Sequence, residues 1–189
     1  MCTRVLLLES KVKKILVDTG IGHKMSDKLN KIYGVDYSEF TLEKGLLNLN
    51  IKPDDITDVI FTHLHFDHAG GATFFNDEMK PGLTFRNAVY YVQEKHLDWA
   101  LNPSERDKAS FFPENYQPIL DAKQMKIIND EYKFDDFITL LSLNGHTRSM
   151  QMVKVSDEKE TLMYLSDLIP MASHVPLPYI MGYDLFPLV

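Results

Sequence analysis

Residues 62–71 read Thr62-His63-Leu64-His65-Phe66-Asp67-His68-Ala69-Gly70-Gly71 and carry most of the sequence's metal-binding potential. They follow the apolar run 58–61, which has the composition of a short buried β-strand. Side chains two positions apart in an extended segment point to the same side, so His63 and His65 can reach one cation. Imidazole and carboxylate groups are typical zinc ligands. We therefore predict a metal site on a loop at the end of a strand, with His63, His65, Asp67 and His68 as candidate ligands.

Two later segments offer further ligands. Gly145-His146-Thr147 and Ser166-Asp167 each follow an apolar, strand-like run, and the ends of separate strands are suitable places from which to build a rigid site. A Gly-His-Thr turn or a Ser-Asp cap is also common without a metal, and a hydrogen-bonded polar loop is the alternative for residues 63–68. Cys2 is the one cysteine in the sequence, so an intramolecular disulfide and a cysteine-rich metal site are both excluded.

The pattern around this segment predicts an α/β domain over residues 1–189, made of layered sheets and helices. We expect a hairpin from residues 4–9 and 13–18. Helices are expected over residues 24–33, 41–49, 95–101, 104–111 and 114–122. Further strands are expected over residues 58–61, 88–92, 137–143, 151–156 and 161–166.

Composition narrows the range of partners. The 189 residues include 20 Lys and Arg against 27 Asp and Glu, a formal charge of −7, which disfavours nucleic acid or an anionic membrane surface as a partner. The early apolar run 5–8 is far too short for a signal peptide or a membrane span. We expect a cytoplasmic protein with a small-molecule substrate. A homodimer is plausible because exposed strand edges or the apolar tail 175–189 would gain from a second subunit.

The order of these motifs, beginning with Asp18-Thr19-Gly20 and running through residues 62–71, 145–147 and 166–167, resembles the metallo-β-lactamase superfamily of metal-dependent hydrolases. Residues 18–22, 145–149, 176–178 and 183–187 resemble the branch that contains quorum-quenching N-acyl homoserine lactonases. The resemblance implies an αββα sandwich, abbreviated at both termini, with a two-metal site at one edge. It implies Zn²⁺, with Mn²⁺ or Fe²⁺ as alternatives.

Carried over by motif position, the resemblance implies that His63, His65 and His146 hold the first metal. Asp67 and His68 would hold the second, Asp167 would bridge the two, and Asp18 would steady the metal-binding loop from behind. A metal-activated hydroxide would then attack an ester or lactone carbonyl, and Asp67 would pass a proton to the leaving group.

The sequence also departs from the family pattern. The family's last metal ligand is a later histidine, whereas this sequence has no histidine after His174. Residues 169–171 are Ile-Pro-Met where some lactonases place a substrate-polarising tyrosine. We expect His174 to lie on the surface or in a pocket wall, with replacement of the missing ligand as the alternative. His23 and His96 are expected to be structural or exposed.

Three functional hypotheses follow. The first is a zinc hydrolase that opens a lactone or an ester, with an N-acyl homoserine lactone as the candidate substrate. The second is a hydrolase of the same fold that acts on thioesters, phosphoesters or β-lactams, because fold and metals alone do not select the bond that is cleaved. The third is a truncated, non-catalytic member that binds metal for stability.

Overall fold

The computed structural model describes residues 3–176, 178–182 and 184. Its strands are β1 (Leu6–Glu9), β2 (Lys14–Val17), β3 (Asp58–Ile60), β4 (Thr73–Phe75), β5 (Pro81–Leu83), β6 (Val89–Gln93), β7 (Met125–Ile128), β8 (Tyr132–Lys133), β9 (Ile138–Leu143), β10 (Met150–Ser156) and β11 (Thr161–Tyr164). Its α-helices are α1 (Asp27–Tyr33), α2 (Leu42–Asn48), α3 (Phe66–Ala69), α4 (Glu94–Leu101) and α5 (Gln117–Asp121). Short 3₁₀ turns lie at Pro53–Asp55, Gly70–Ala72, Lys108–Ser110, Pro113–Asn115, Ser166–Leu168 and Ala172–His174.

Two larger sheets organise the molecule. The first has the strand order β1-β2-β3-β6-β7, in which β1 and β2 form an antiparallel hairpin and β2, β3, β6 and β7 run parallel. The second is antiparallel with the order β11-β10-β9-β8, and β4 pairs with β5 in a separate small hairpin. Neighbouring parallel strands must be joined by crossover connections, and along the chain these connections contain the helices.

The core has two parts because strand side chains alternate between faces. Ile15, Val17 and Ile60 pack between the sheets against Leu140 and Val153. Leu16, Val59 and Tyr90 face the other way and pack against helices, through Leu46 of α2, Leu97 of α4 and Ile119 of α5. The predicted α/β class of layered sheets and helices is confirmed. All five α-helices of the described residues precede β7, and they cover one face of the sandwich. After β8 the described residues form strands and 3₁₀ turns without an α-helix.

The predicted hairpin and the two early helices are present, and the local sequence explains their bounds. Ser26 accepts a hydrogen bond from the Leu29 amide at the start of α1, and Thr41 accepts one from the Lys44 amide at the start of α2. Such N-caps satisfy amides that lack a partner in the first turn of a helix. The first helix therefore begins at Asp27, three residues later than predicted.

The middle of the chain departs from prediction. The expected helix over residues 104–111 is wrong: only the 3₁₀ turn Lys108–Ser110 forms there. Buried Asp107 accepts hydrogen bonds from Ser104 Oγ and Trp99 Nε1, and these contacts fold the segment as a turn beneath α4. The expected helix over residues 114–122 is shortened to α5, preceded by a separate 3₁₀ turn at Pro113. Strands β4, β5, β7 and β8 were not predicted, because each is short and only its partner strand stabilises it.

Among the residues that the structure describes, no helix is both long and apolar enough to cross a bilayer.

Candidate metal centre

The carboxyl ends of neighbouring strands bring the candidate ligands together. Asp18 directly follows β2, and the loop that contains His63 follows β3, which lies beside β2 in parallel register. His146 lies in the connection from β9 to β10, and Asp167 lies in the 3₁₀ turn after β11. Sites in α/β sheets typically lie beyond the carboxyl ends of the strands. In this chain the second sheet supplies the other half of the cluster.

The first group consists of His63, His65 and His146, each of which is buried. One ligand atom from each lies within 4.8 Å of the other two, and His65 Nδ1 lies 3.1 Å from His146 Nε2. Two nitrogens bound to one tetrahedral zinc ion are about 3.4 Å apart at usual bond lengths. The spacing of these two rings is thus close to that of ligands on a single ion.

The second group consists of His63, His68 and Asp167, again with one ligand atom from each within 4.8 Å of the others. His68 Nε2 lies 3.4 Å from Asp167 Oδ1 and 3.7 Å from Asp67 Oδ2. The other oxygen of Asp167, Oδ2, lies 3.5 Å from His146 Nε2. The two oxygens of one carboxylate thus face two different histidines, which is the arrangement that a bridging ligand requires.

His63 Nε2 is buried and has no hydrogen-bond partner within the described part of the chain, while Thr62 Oγ1 lies at the other nitrogen of the same ring. His65 Nε2 is also buried without such a partner, but it is Nδ1 of His65 that faces His146. Buried polar atoms in proteins are nearly always hydrogen-bonded, so such atoms need an explanation. Neutral imidazole nitrogens grouped in this way fit a divalent cation with nitrogen and oxygen ligands.

The protonation states of His63 and His65 favour metal binding. Burial, with the neighbouring imidazoles adding to it, lowers the pKa of His63 and of His65 well below the usual range. Both rings are therefore neutral at physiological pH, which is the form that binds a metal. Burial raises the pKa of Asp67, and nearby Asp167 adds to this effect.

His68 and Asp167 shift each other's pKa in opposite directions, each toward the charged form. Burial opposes the charge on His68, but the adjacent carboxylates of Asp18 and Asp167 together raise its pKa well above the usual value. Burial likewise disfavours the charged form of Asp167, yet the hydrogen bond and charge of His68 lower the pKa of this carboxyl group. A cation placed between them would compete with the proton on His68.

Asp18 contacts the loop of residues 62–68 from behind. Its fully buried carboxylate accepts hydrogen bonds from the Thr62 amide at 2.7 Å and from the Thr62 hydroxyl at 2.8 and 3.0 Å. The same carboxylate lies 2.9 Å from His68 Nδ1 and thereby directs Nε2 of that ring toward Asp167. Thr62 Oγ1 in turn lies 3.0 Å from His63 Nδ1. One carboxylate therefore orients two candidate ligands, a common arrangement around metal-binding histidines.

Three further residues contact the candidate ligands or the loops that hold them. Asp184 Oδ1 lies 3.3 Å from His146 Nδ1, opposite the ring nitrogen that faces the cluster. The Lys24 ammonium group donates hydrogen bonds to the carbonyl oxygens of Gly70 and Thr73, at the end of the metal-binding loop. His96, which was expected to be structural or exposed, is buried and joins two loops of the site. Isolated residues of these types carry no local signal, and only their contacts reveal the role.

The remaining predicted positions are less central. His174 lies half-buried in a 3₁₀ turn, and neither ligand group includes it. His23 is exposed and lies 3.2 Å from Glu43. Within the motif stretches 176–178 and 183–187, residues 177, 183 and 185–187 lie outside the described residues.

Comparison with known proteins identifies the family of this chain. The family model described as "Metallo-beta-lactamase superfamily" matches residues 3–187. The chain belongs to the metallo-β-lactamase superfamily. The predicted family and fold are thereby confirmed, and the chain is a member of a family of hydrolases.

The chain is also similar to individual proteins of known sequence or structure. It is 28% identical over 170 residues to the N-acyl homoserine lactonase AiiA of Bacillus thuringiensis subsp. kurstaki, covering 85% of this chain and 60% of the relative. A probable metal-dependent hydrolase from Staphylococcus aureus superimposes with a TM-score of 0.84 at 24% identity, covering 95% of this chain and 63% of that structure. AidC, a dizinc quorum-quenching lactonase solved with a reaction product, gives a TM-score of 0.67 at 27% identity, covering 87% and 56%. The chain thus spans about three fifths of the length of these relatives.

Proposed function

We propose that this chain is a zinc-dependent hydrolase that opens lactones, with an N-acyl homoserine lactone as the candidate substrate. The observation that carries the proposal is the pair of ligand groups that share His63, with one oxygen of Asp167 facing each side. The similarity to lactonases supports the choice of substrate. Mn²⁺ or Fe²⁺ would suit the same donors.

The ligand assignment belongs to this proposal. His63, His65 and His146 would hold one ion, Asp67 and His68 would hold the other, and Asp167 would bridge the two. Asp67 Oδ2 lies 3.7 Å from His68 Nε2, and the group of three that includes His68 is completed by His63 and Asp167. Cations bound at this centre would acidify a water molecule and polarise a carbonyl oxygen.

Residues of the chain would do the remaining work. Asp67 would pass the proton lost by the attacking water to the alkoxide that leaves when a lactone ring opens. Its partly exposed carboxyl group lies beside His68 and is placed for this transfer. Tyr33 and Phe112 both pack against Phe66, which directly follows His65, and these rings offer an apolar wall for an acyl chain.

Metal content and turnover test the proposal together. Purified protein should contain close to two Zn²⁺ per chain and should release acid from N-hexanoyl homoserine lactone. Chelation should abolish the activity, and added Zn²⁺ or Mn²⁺ should restore it. His65→Ala and Asp67→Asn should each lower kcat/KM at least a hundredfold, whereas His23→Ala, a change at an exposed histidine, should leave it unchanged.

A substrate panel separates the alternatives. Turnover of thioesters, phosphoesters or β-lactams without turnover of lactones would reject the lactonase assignment and keep the metal-dependent hydrolase. Folded protein that takes up no metal would reject both. A cytoplasmic location and a homodimer stay predictions of the sequence.

A further inference from the structure

We infer that His96 is a positioning residue that fixes the two metal-binding loops relative to each other through its two ring nitrogens. The inference rests on the proposed function, because it concerns the same centre. His96 lies in the first turn of α4 and is 1% exposed. It belongs to neither ligand group, although its ring centroid lies 6.2 Å from that of His63.

Both ring nitrogens are already used by the backbone. The Leu64 amide donates a hydrogen bond to His96 Nε2 at 2.8 Å, and Nδ1 lies 2.7 Å from the Arg148 carbonyl oxygen. A carbonyl oxygen can only accept, so Nδ1 carries the proton and Nε2 carries the lone pair. With this tautomer neither nitrogen is available as a metal ligand.

The two backbone groups belong to different parts of the centre. Leu64 lies between His63 and His65, and Arg148 follows His146 by two residues. His63 and His65 come from the first sheet's side, and His146 comes from a connection in the second sheet. One imidazole therefore links the loops whose three histidines form the first ligand group.

The neighbourhood holds the His96 ring in this position. The Phe111 ring packs against both His96 and His65, and its centroid lies 5.8 Å from that of His96 and 4.8 Å from that of His65. The hydrogen bond from the Leu64 amide is shielded from water, because His96, Leu64 and Phe111 are all buried, whereas the one to the Arg148 carbonyl is partly buried. Removing the ring nitrogens would leave a buried amide without a partner on the His63 loop, and this loop would move to find one.

Metal affinity measured by chelator competition tests the inference in three variants. His96→Phe keeps the ring and removes both nitrogens, and we expect it to weaken Zn²⁺ binding ten- to a hundredfold, as is usual when a residue that orients metal ligands is lost. His96→Gln offers one acceptor and one donor and should recover most of the affinity. Glu94→Gln, an exposed change in the same turn of α4, should bind as the wild type does.

A spectroscopic measurement separates positioning from general stability. The visible absorption of the Co²⁺-substituted protein should shift or weaken in His96→Phe and return in His96→Gln, because that spectrum reports ligand geometry. A folded His96→Phe protein with wild-type affinity and spectrum would overturn the inference. Wild-type protein that binds metal tightly but hydrolyses no substrate would refute the proposed function alone. Wild-type protein that binds no metal would overturn both.

Discussion

At the scale of single residues, the centre depends on side chains that orient the ligands. Asp18 is the clearest example, because its buried carboxylate contacts both Thr62 and His68. The backbone of Asp18 has a positive φ of 63°. A left-handed backbone conformation costs free energy for any residue with a side chain, and Asp tolerates it better than most. The hydrogen bonds of its carboxylate offset that cost.

We expect Asp18→Asn to lower Zn²⁺ affinity ten- to a hundredfold, because an amide cannot accept hydrogen bonds on both sides as a carboxylate does. Chelator competition measures the change. Asp58→Asn is the matched control: Asp58 is also buried, at the opposite end of the next strand, where it accepts from Thr57 and Tyr91. This control should lose stability without losing metal affinity. Equal effects on affinity in the two variants would argue against an orienting role for Asp18.

At the scale of elements, the end of the loop of residues 62–71 packs against the turn after β2, and the contact leaves no space for a side chain at Gly70 or Gly71. A Cβ atom on Gly70 would lie 2.1 Å from the Ile21 carbonyl oxygen, and one on Gly71 would lie 2.2 Å from that of Thr19. Backbone hydrogen bonds at Thr19–His68 and Gly71–Gly20 join the two segments. This close approach keeps Asp18 within reach of the loop that it orients.

Gly71→Ala should therefore destabilise the protein by several kcal/mol, roughly the range for severe overpacking, because a backbone carbonyl cannot move aside as a side chain can. Denaturant unfolding gives the free energy. Gly182→Ala is the control, since a Cβ atom there meets nothing within 4 Å. If Gly71→Ala were as stable as Gly182→Ala, the loop and the turn would not be in the described contact.

Lys24, in the segment before α1, donates hydrogen bonds to the carbonyl oxygens of Gly70 and Thr73. Because its ammonium group is largely buried, its contribution to stability depends on pH. Burial lowers the pKa of Lys24 to about 8, with Glu114 partly opposing the shift. The unfolded chain, with an ordinary lysine pKa, holds more protons than the folded chain between about pH 8 and 10, so this group's contribution to stability rises with pH in that window.

We expect the stability difference between wild type and Lys24→Met to change in favour of the wild type as the pH rises from about 8 to 10. The change should be on the order of 3 kcal/mol at most. Urea unfolding at several pH values measures it. A difference that is flat or falls across this window would show that the ammonium group is not buried as described.

At the scale of the whole molecule, the centre joins two sheets that otherwise meet through their apolar faces. His63 and His65 come from the first sheet's side, and His146 and Asp167 come from connections of the second. Because a metal ion bound by both sides stabilises only the folded arrangement, metal binding adds directly to the free energy of unfolding.

Saturating Zn²⁺ should accordingly raise the thermal midpoint by several degrees or more, and chelation should reverse the rise. A ligand at a hundred times its Kd adds about 2.7 kcal/mol. Calorimetry with and without chelator measures the shift. In His146→Ala the shift should become much smaller, whereas an unchanged shift would place the bound metal elsewhere.

The sequence predicted the parts of this protein that local rules encode. Two β-rich runs gave the hairpin, the spacing of apolar residues gave α1 and α2 to within three residues, and the density of histidines in residues 62–71 identified the loop. It failed for residues 104–111 and for the short strands β7 and β8. There Asp107 folds a turn through tertiary contacts, and partner strands stabilise β7 and β8, so no local pattern specifies the structure.

By itself the sequence determined which chemical groups are available: imidazoles and carboxylates placed after apolar strands, with glycines where two backbones must touch. Only the tertiary structure decided that His146 and Asp167 reach the loop of residues 63–68, and that Asp184, Lys24 and His96 support them. The physical reason is range. Side-chain alternation and capping act over a few residues, whereas the hydrogen bonds that orient these ligands join residues 32 to 52 positions apart.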